Sequence, residues 1–215
     1  TETDILKIIQ DFKKSNASCP DGLSNVILKQ ASCSIVRPLT ILFNTCFQHR
    51  KIPIQWKVAN VMPIYRNQGS KDDLKNYRPI SLLSSISKVY EKVVFKAILK
   101  HIDANNILSN TQHGFRSKAS TTTALLSLVE NIANNTDKRE YTPLLLLDLS
   151  KAFDTVQHDI LLAKLSHYGF SHQIQDIISD YLTNRRFFVT ANNTQTHTRD
   201  CTIGVPQGSV LGPLL

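Results

Sequence analysis

The sequence predicts an α+β fold on the strength of three segments. Apolar side chains recur at helical spacing between residues 85 and 102, which is typical of an amphipathic helix. Residues 54–64 alternate in polarity and are rich in Val and Ile, which favours a strand. Residues 143–149 form a continuous apolar run, PLLLLDL, whose length suits a buried strand better than a helix. The fold should therefore combine helices with a small sheet.

Other helices are expected on both sides of these segments. The pair Asp154 and Gln157 has capping-box spacing, so a helix should begin there and end at Gly169. Residues 186–203 should form two short strands around Asn192–Asn193, and a new helix should begin shortly before Leu215. The remaining predicted helices cover residues 4–14, residues 20–30 (opening with Pro20 and Asp21), Arg37–His49, Thr121–Asn134 and residues 173–182.

The composition suits a folded protein that binds a polyanion. The chain has 215 residues, enough for one large domain or two small subdomains, and its ordinary apolar content argues against global disorder. There are 25 Lys and Arg against 17 Asp and Glu, a net charge of +8. The excess is spread along the chain, so a basic groove that binds nucleic acid or a nucleoside triphosphate is favoured over a basic tail.

The cysteines and the hydropathy point to a protein of the cytoplasm, the nucleus or both. The cysteines form no CxxC pair and match no zinc module, so reduced thiols are expected at Cys19, Cys33, Cys46 and Cys201. The sequence shows neither a signal peptide nor an apolar run of membrane-spanning length.

The run LLLLDLSKAFDTV, residues 144–156, is the strongest chemical feature. A strand that ends in the single carboxylate Asp148 could hold Mg²⁺ for phosphoryl transfer, and the aromatic Phe153 follows five residues later. An acidic residue at a strand end before a capped helix explains the same pattern without function.

A second feature is GVPQGSVLGPLL, residues 204–215. Two glycines bracket Pro206 and Gln207, and glycine permits another backbone or a ligand to approach closely. Gln207 could hydrogen-bond a base or a sugar. An ordinary strand-to-helix turn would have the same composition.

Residues 61–94 suggest a basic hairpin. Arg66 and Arg78 flank a polar turn from Asn67 to Asn76, and a hairpin would bring both guanidiniums to one side. Two such cations suit a triphosphate or a template backbone, although a solvated hairpin with charged tips is common. The acidic pair Asp72 and Asp73 lies in this turn and is expected at the surface.

Residues 108–128 contain Arg116 and Lys118 just before a predicted helix. A contact with nucleic-acid phosphate near the helix N-terminus fits these cations. A loop that leads into a Ser- and Thr-rich helix start is the alternative.

In this order, four blocks resemble the reverse transcriptases of non-LTR (LINE-type) retrotransposons, with the Jockey-like branch nearest. They are NYRPISLLSSISKVYEKVV, QHGFR, LLLLDLSKAFDTV and GVPQGSVLGPLL, and the resemblance runs from Pro20 to the C-terminus. It implies the right-hand polymerase fold. Residues 1–140 would be helix-rich fingers with an N-terminal helical extension, and residues 141–215 a partial palm with a small incomplete sheet.

The resemblance also implies roles for individual residues. Asp148 and the Leu149 carbonyl would bind Mg²⁺, with two ions expected in the complete enzyme. Phe153 would be the steric gate that disfavours a ribose 2′-OH. The nucleotide would be held by Arg66, Arg78, Gln207 and Gly208. The substrates would be a dNTP, an RNA template and a DNA primer, with no membrane and no obligate protein partner.

Departures from the family pattern leave other interpretations open. Cys19 stands where the family usually has Gly, and only Arg66 represents a position that is commonly a basic pair. The family's second carboxylate motif and thumb are absent, so the chain is expected to be truncated and inactive alone. The alternatives are a decayed nucleic-acid-binding remnant, a protein-interaction scaffold, an RNA-templated RNA polymerase and an intron maturase.

Overall fold

The computed structural model describes residues 1–15, 19, 21–192 and 194–215, and these residues form two compact units. The larger unit contains Thr1–Leu99 and Phe153–Leu215, and the smaller unit contains Lys100–Ala152. The combination of helices with a small sheet confirms the predicted α+β class. No helix among the described residues is both long enough and apolar enough to span a membrane.

The helices mostly follow the predicted segments. Their bounds are α1 (Glu2–Asp11), α2 (Asn25–Gln30), α3 (Ser32–His49), α4 (Ser85–Ala104), α5 (Thr121–Asp137), α6 (His158–His167) and α7 (His172–Leu182). Thr1 forms a capping box with Asp4 at the start of α1, and Ser24 caps α2. Pro20, where the second predicted helix begins, lies outside the described residues. At the C-terminus, Leu215 N–H donates to Leu211 O in a single turn.

The helix predicted to begin at Asp154 starts later, so the proposed cap is wrong. Gln157 is the residue that precedes α6. The backbone at Phe153 is hydrogen-bonded elsewhere, because the Phe153 carbonyl accepts from Val205 N–H at 2.7 Å. The predicted end at Gly169 is confirmed: Gly169 has φ +71°, and Phe170 N–H bonds back to Leu165 O.

A five-stranded sheet lies in the larger unit. Its strands are β1 (Val58–Tyr65), β2 (Tyr77–Leu82), β3 (Arg185–Ala191), β4 (Thr194–Gln195) and β5 (Arg199–Cys201). The order is β2-β1-β3-β4, with β5 paired to β3. β1 pairs antiparallel with β2 and parallel with β3.

The sheet differs from the sequence expectation at two places. The strand predicted from Ile54 begins at Val58, since Ile54–Lys57 form a 3-10 turn after Pro53. Residues 186–203 contribute three strands rather than two. Both β4 and β5 pair antiparallel with β3, at opposite ends of that strand. Asn192 lies at the predicted turn, and Asn193 is outside the described residues.

Aromatic side chains pack around Tyr90 of α4 in the core of the larger unit. The Tyr90 ring centroid lies 5.4 Å from that of Phe43, 5.2 Å from Phe47 and 5.7 Å from Trp56. These rings join α3, α4 and the 3-10 turn, so the start of β1 is anchored against the helices.

The smaller unit is less buried, and it overturns one prediction. Ser120 caps α5, but this helix has no buried residue. Residues 143–149 are irregular rather than a strand, with Leu146 82 % and Leu147 84 % exposed. An apolar run becomes a strand only when a neighbouring strand accepts its backbone hydrogen bonds, and the described structure pairs none with it.

Candidate active site

The segment Gly204–Gly212, called here the glycine turn, is hydrogen-bonded to the backbone around Phe153. Gly204 N–H donates to Val156 O at 2.8 Å, and Val205 N–H donates to Phe153 O at 2.7 Å. Gly204 has φ +83°, and a Cβ there would lie 2.8 Å from Phe153 O. Only glycine allows this approach, so its position in the sequence has a structural reason.

The other side of the glycine turn contacts the outer edge of β2. Ser81 N–H donates to Gln207 O at 2.7 Å. Gly208 has φ +112°, and a Cβ there would lie 2.9 Å from Ser81 O and 3.5 Å from Ile80 Cγ2. Gln207 and Gly208, both predicted nucleotide contacts, are therefore held against the hairpin of β1 and β2.

Ser209 closes the glycine turn. Its hydroxyl donates to Pro206 O at 2.9 Å and accepts from Gly212 N–H at 2.8 Å. A Cβ on Gly212 would lie 3.6 Å from Phe153 Cε1, so the Phe153 ring is beside the turn. The structure thus brings together Phe153, Gln207 and Gly208, three of the predicted site residues.

Arg66 and Arg78 share one face of the β1–β2 hairpin, as predicted. Arg78 is directly opposite Ile64 in the strand register, and Arg66 N–H donates to Asn76 O at 2.8 Å. Because side chains alternate along a strand, Arg66 lies on the Ile64 side with Arg78. Both arginines are exposed. Ile80, which the glycine turn approaches, is on this face too.

A cavity of about 380 Å³ lies on the opposite face of the hairpin. Its lining includes Val61 and Ser81 from the hairpin, Asp154, and Gln207 from the glycine turn. His158 Nε2 lies 2.8 Å from Gly204 O and fixes the turn from the helix side. Most of the wall area is apolar, and Arg185, Arg186 and Asp200 also line this space.

Asp148 and Leu149 belong to the smaller unit, and the structure gives them no strand. Both are exposed in the irregular segment. A carboxylate and a backbone carbonyl are the hard oxygen donors that Mg²⁺ prefers, so the donors fit the ion in kind. In number they fall short, since no group of three His, Cys, Asp or Glu side chains suited to a metal occurs among the described residues.

Arg116 and Lys118 precede α5, as predicted. Arg116 Nη1 donates to Ser109 O at 2.8 Å, which ties the loop together, and the side chain is half-buried. Lys118 is exposed with φ +62°. Of the pair, Lys118 is better placed to meet a phosphate. Asp72 and Asp73 are exposed, which confirms their predicted surface position.

Sequence reasoning missed Glu91, which contacts the glycine turn directly. Only 1 % of Glu91 is exposed, and its carboxylate accepts from Val210 N–H at 2.8 Å and Leu211 N–H at 3.2 Å. A signal was present, because Glu91 is three residues before Val94 and seven before Ile98, on the apolar face of α4. A lone carboxylate on that face needs buried partners.

Comparison with known proteins gives a consistent picture. A family described as "Reverse transcriptase (RNA-dependent DNA polymerase)" matches residues 69–215. A probable RNA-directed DNA polymerase from transposon BS of Drosophila melanogaster is 32 % identical over 212 residues, covering 99 % of this chain and 23 % of that protein.

Two further relatives from Drosophila melanogaster match nearly the whole chain. A probable RNA-directed DNA polymerase from transposon X-element is 35 % identical, covering 94 % of this chain and 22 % of the relative. The RNA-directed DNA polymerase from mobile element jockey is 29 % identical, covering 100 % and 23 %. The chain therefore spans less than a quarter of the length of these relatives.

Proposed function

Because this chain belongs to the reverse transcriptase (RNA-dependent DNA polymerase) family, we propose that it selects nucleotides for the RNA-directed DNA polymerase of a retrotransposon. The predicted resemblance to non-LTR, Jockey-like retrotransposon enzymes is confirmed by the relatives from BS, X-element and jockey. The division into fingers at 1–140 and partial palm at 141–215 stays a prediction.

One observation supports the proposal above others: the glycine turn is hydrogen-bonded to Phe153 on one side and to β2 on the other. A steric gate in a DNA polymerase excludes ribonucleotides by contact with the ribose 2′-OH. This contact requires an aromatic ring whose position is fixed. A backbone hydrogen bond from Val205 fixes the main chain at Phe153, and Gly212 lies beside the Phe153 ring. Phe153 would pack under the sugar, and Gln207 and Gly208 would border the same nucleotide.

The arginine face of the hairpin would bind the triphosphate. Arg66 and Arg78 are exposed on one side of two paired strands, so their spacing is fixed by the register. Guanidiniums present paired N–H donors that match phosphate oxygens. They would hold the nucleotide and lower the cost of charge on the departing pyrophosphate.

Asp148 would supply the metal-binding carboxylate, with the Leu149 carbonyl beside it. Bound Mg²⁺ would stabilise the negative charge that develops on the reacting phosphate. The reaction forms a bond between the primer 3′-oxygen and the α-phosphorus and breaks the bond from that phosphorus to pyrophosphate. Asp148 is exposed, as a residue that must meet a ligand has to be.

Nucleic acid would be the second substrate. The net charge of +8 favours a polyanion, and Lys118 lies exposed near the N-terminus of α5. An RNA template and a DNA primer are the partners that the family's activity requires. Arg116 would act mainly by shaping the loop that presents Lys118.

Primer extension on an RNA template tests the proposal in a polymerase that contains this sequence. Phe153→Val should raise incorporation of ribonucleotides relative to dNTPs by about tenfold or more, since the ring no longer meets the 2′-OH. Phe12→Val, at the residue that ends α1, is the matched control and should leave the ratio unchanged. An unchanged ratio in Phe153→Val removes the steric gate from the proposal.

Asp148→Asn tests the catalytic part separately. It should abolish extension while RNA–DNA binding, measured by fluorescence anisotropy, stays within about twofold because the phosphate contacts survive. Asp137→Asn, an exposed aspartate of α5, should behave as wild type. Normal extension by Asp148→Asn would exclude this carboxylate from metal binding.

A further inference from the structure

We propose that Glu91 is a positioning residue for nucleotide selection, because its buried carboxylate fixes the glycine turn without touching the nucleotide. The inference rests on the proposed function and extends it to a residue of α4. Glu91 is separated from the turn by about 120 residues of sequence, since its bonds to Val210 and Leu211 span 119 and 120 positions.

The carboxylate is surrounded by donors. Oε2 accepts the Val210 and Leu211 N–H groups at 2.8 and 3.2 Å, and the Tyr181 hydroxyl lies 3.5 Å away. Oε1 accepts from the Ser87 hydroxyl at 3.2 Å. Every one of these partners can donate, so the site suits a carboxylate acceptor and not a neutral apolar side chain.

Charge nearby also favours the carboxylate. Burial raises the pKa of Glu91, whereas the Arg185 guanidinium and the N–H groups of Leu211 and Val210 oppose that rise. Arg185 is only 2 % exposed, stacks 4.5 Å from the Tyr181 ring and donates to Tyr181 O at 3.1 Å. Glu91 and Arg185 thus share one buried cluster against which the glycine turn is packed.

The two N–H groups need an acceptor from outside their own segment. Leu211 O accepts from Leu214 and Leu215 N–H, so a helical turn begins here, and the first N–H groups of such a turn have no internal partner. Leu211 is fully buried, so water cannot replace the acceptor of its N–H group. Glu91 therefore acts as a cap supplied by another helix.

This cap determines where the nucleotide contacts lie. Val210 follows Gln207, Gly208 and Ser209 directly, so a shift at Val210 moves Gly208 from its contact with Ser81. The same shift displaces Gly212, which lies beside the Phe153 ring: a Cβ on Gly212 would be in van der Waals contact with Cε1 of that ring, at 3.6 Å. Loss of the cap should weaken the contacts with the sugar of the bound nucleotide. It should leave the residues that perform the chemistry in place.

Two substitutions separate the reach of the side chain from its charge, in a polymerase that contains this sequence. Glu91→Gln keeps an oxygen at the correct distance, and Ser87 can accept from the new amide. Glu91→Asp keeps the charge but is one methylene shorter. Glu130→Gln and Glu130→Asp, on the exposed face of α5, are the matched controls.

Steady-state primer extension is the first readout. Glu91→Asp should raise KM for dNTP by about tenfold and relax ribonucleotide discrimination, with kcat within about twofold, because an uncapped turn weakens nucleotide binding. Glu91→Gln should raise KM by less than about threefold. A fall in kcat at constant KM, or a larger effect of Gln than of Asp, overturns the proposal.

Hydrogen exchange of the Val210 and Leu211 amides is the second readout and needs no activity. Glu91→Asp should speed their exchange by at least about tenfold while the Ile178 amide of α7 stays protected. Unchanged exchange at Val210 and Leu211, or equal acceleration at Ile178, refutes the cap. A wild-type protein that incorporates no dNTP refutes the proposed function instead, and the exchange result then stands alone.

Discussion

Asp180 of α7 should contribute more to stability than any exposed acidic residue of the same helix. Its Oδ2 accepts from Ile52 N–H at 2.8 Å and from Lys57 Nζ at 2.9 Å, and its Oδ1 lies 3.0 Å from Lys51 Nζ. The Lys57 side chain is 5 % exposed and that of Asp180 10 %. The carboxylate therefore holds a buried ammonium and joins α7 to the segment before β1.

Asp180→Asn should lower the free energy of unfolding by about 3 kcal/mol, because it leaves the Lys57 ammonium buried without an opposite charge. At about 2 to 4 °C per kcal/mol for a chain of this size, the melting temperature should fall by roughly 6 to 12 °C. Asp176→Asn is the control on α7, since Asp176 pairs with Arg50 at 2.7 Å but both side chains are about half exposed. It should cost less than about 1 kcal/mol.

Urea denaturation followed by tryptophan fluorescence measures this directly, because the single tryptophan, Trp56, is adjacent to Lys57 and 7 % exposed. The midpoint should fall at constant m-value. Lys57→Met in the Asp180→Asn background should recover stability by removing the uncompensated charge. A cost for Asp180→Asn equal to that for Asp176→Asn would refute the reasoning.

The Asp180 carboxylate should also affect how the free energy of unfolding changes at acid pH. Burial acts to raise the pKa of Asp180, but hydrogen bonds from Lys57, Ile52 N–H and Lys51 outweigh it and hold the pKa below its ordinary 3.8. A lowered folded-state pKa gives stability that is present above the unfolded pKa and lost as pH falls through the folded one. The difference between wild type and Asp180→Asn should therefore shrink below about pH 4.

Two further substitutions test the glycine turn and the aromatic core. Gly208→Ala should destabilise the larger unit by about 2 kcal/mol and impair dNTP incorporation, because alanine is strained at φ +112° and its Cβ would meet Ser81 O at 2.9 Å. Gly114→Ala, where nothing lies within 4 Å of a Cβ, should be neutral in the same assays. Tyr90→Phe should stabilise by about 1 kcal/mol in urea denaturation, since the buried hydroxyl has no hydrogen-bond partner among the described residues; a loss of stability would mean that the hydroxyl is satisfied.

The elements that local sequence specifies were predictable. The apolar stripe of α4 repeats at helical spacing over most of its length, so its burial and type follow from periodicity alone. The polar segment from Asn67 to Asn76 separates two extended segments, so the sequence predicts a hairpin with Arg66 and Arg78 on one face, and β1 and β2 pair in this way. For that reason the arginine face could be inferred from the amino-acid sequence.

The start of α6 could not be inferred in this way. Asp154 and Gln157 have the spacing of a cap, but the backbone at Phe153 is occupied by the glycine turn, more than fifty positions downstream in the sequence. Gly204 approaches so closely that a Cβ would lie 2.9 Å from Asp154 Cα. A capping motif reflects only the local preference of a segment. Here the contacts with the backbone of the glycine turn outweigh that preference.

The apolar run at 144–149 and the buried Glu91 are two forms of one physical effect. The hydrogen-bond partners of backbone groups and of a buried carboxylate come from segments far away in the sequence. The hydrophobicity of the local segment therefore predicts neither case. Leu146 and Leu147 are apolar yet exposed, and no described strand pairs with their backbone. Glu91 is charged yet buried, because the glycine turn presents N–H groups to it. The N–H groups of the glycine turn therefore account for the burial of a carboxylate on α4. For the same reason, nucleotide selection should depend on Glu91 although this residue does not touch the nucleotide.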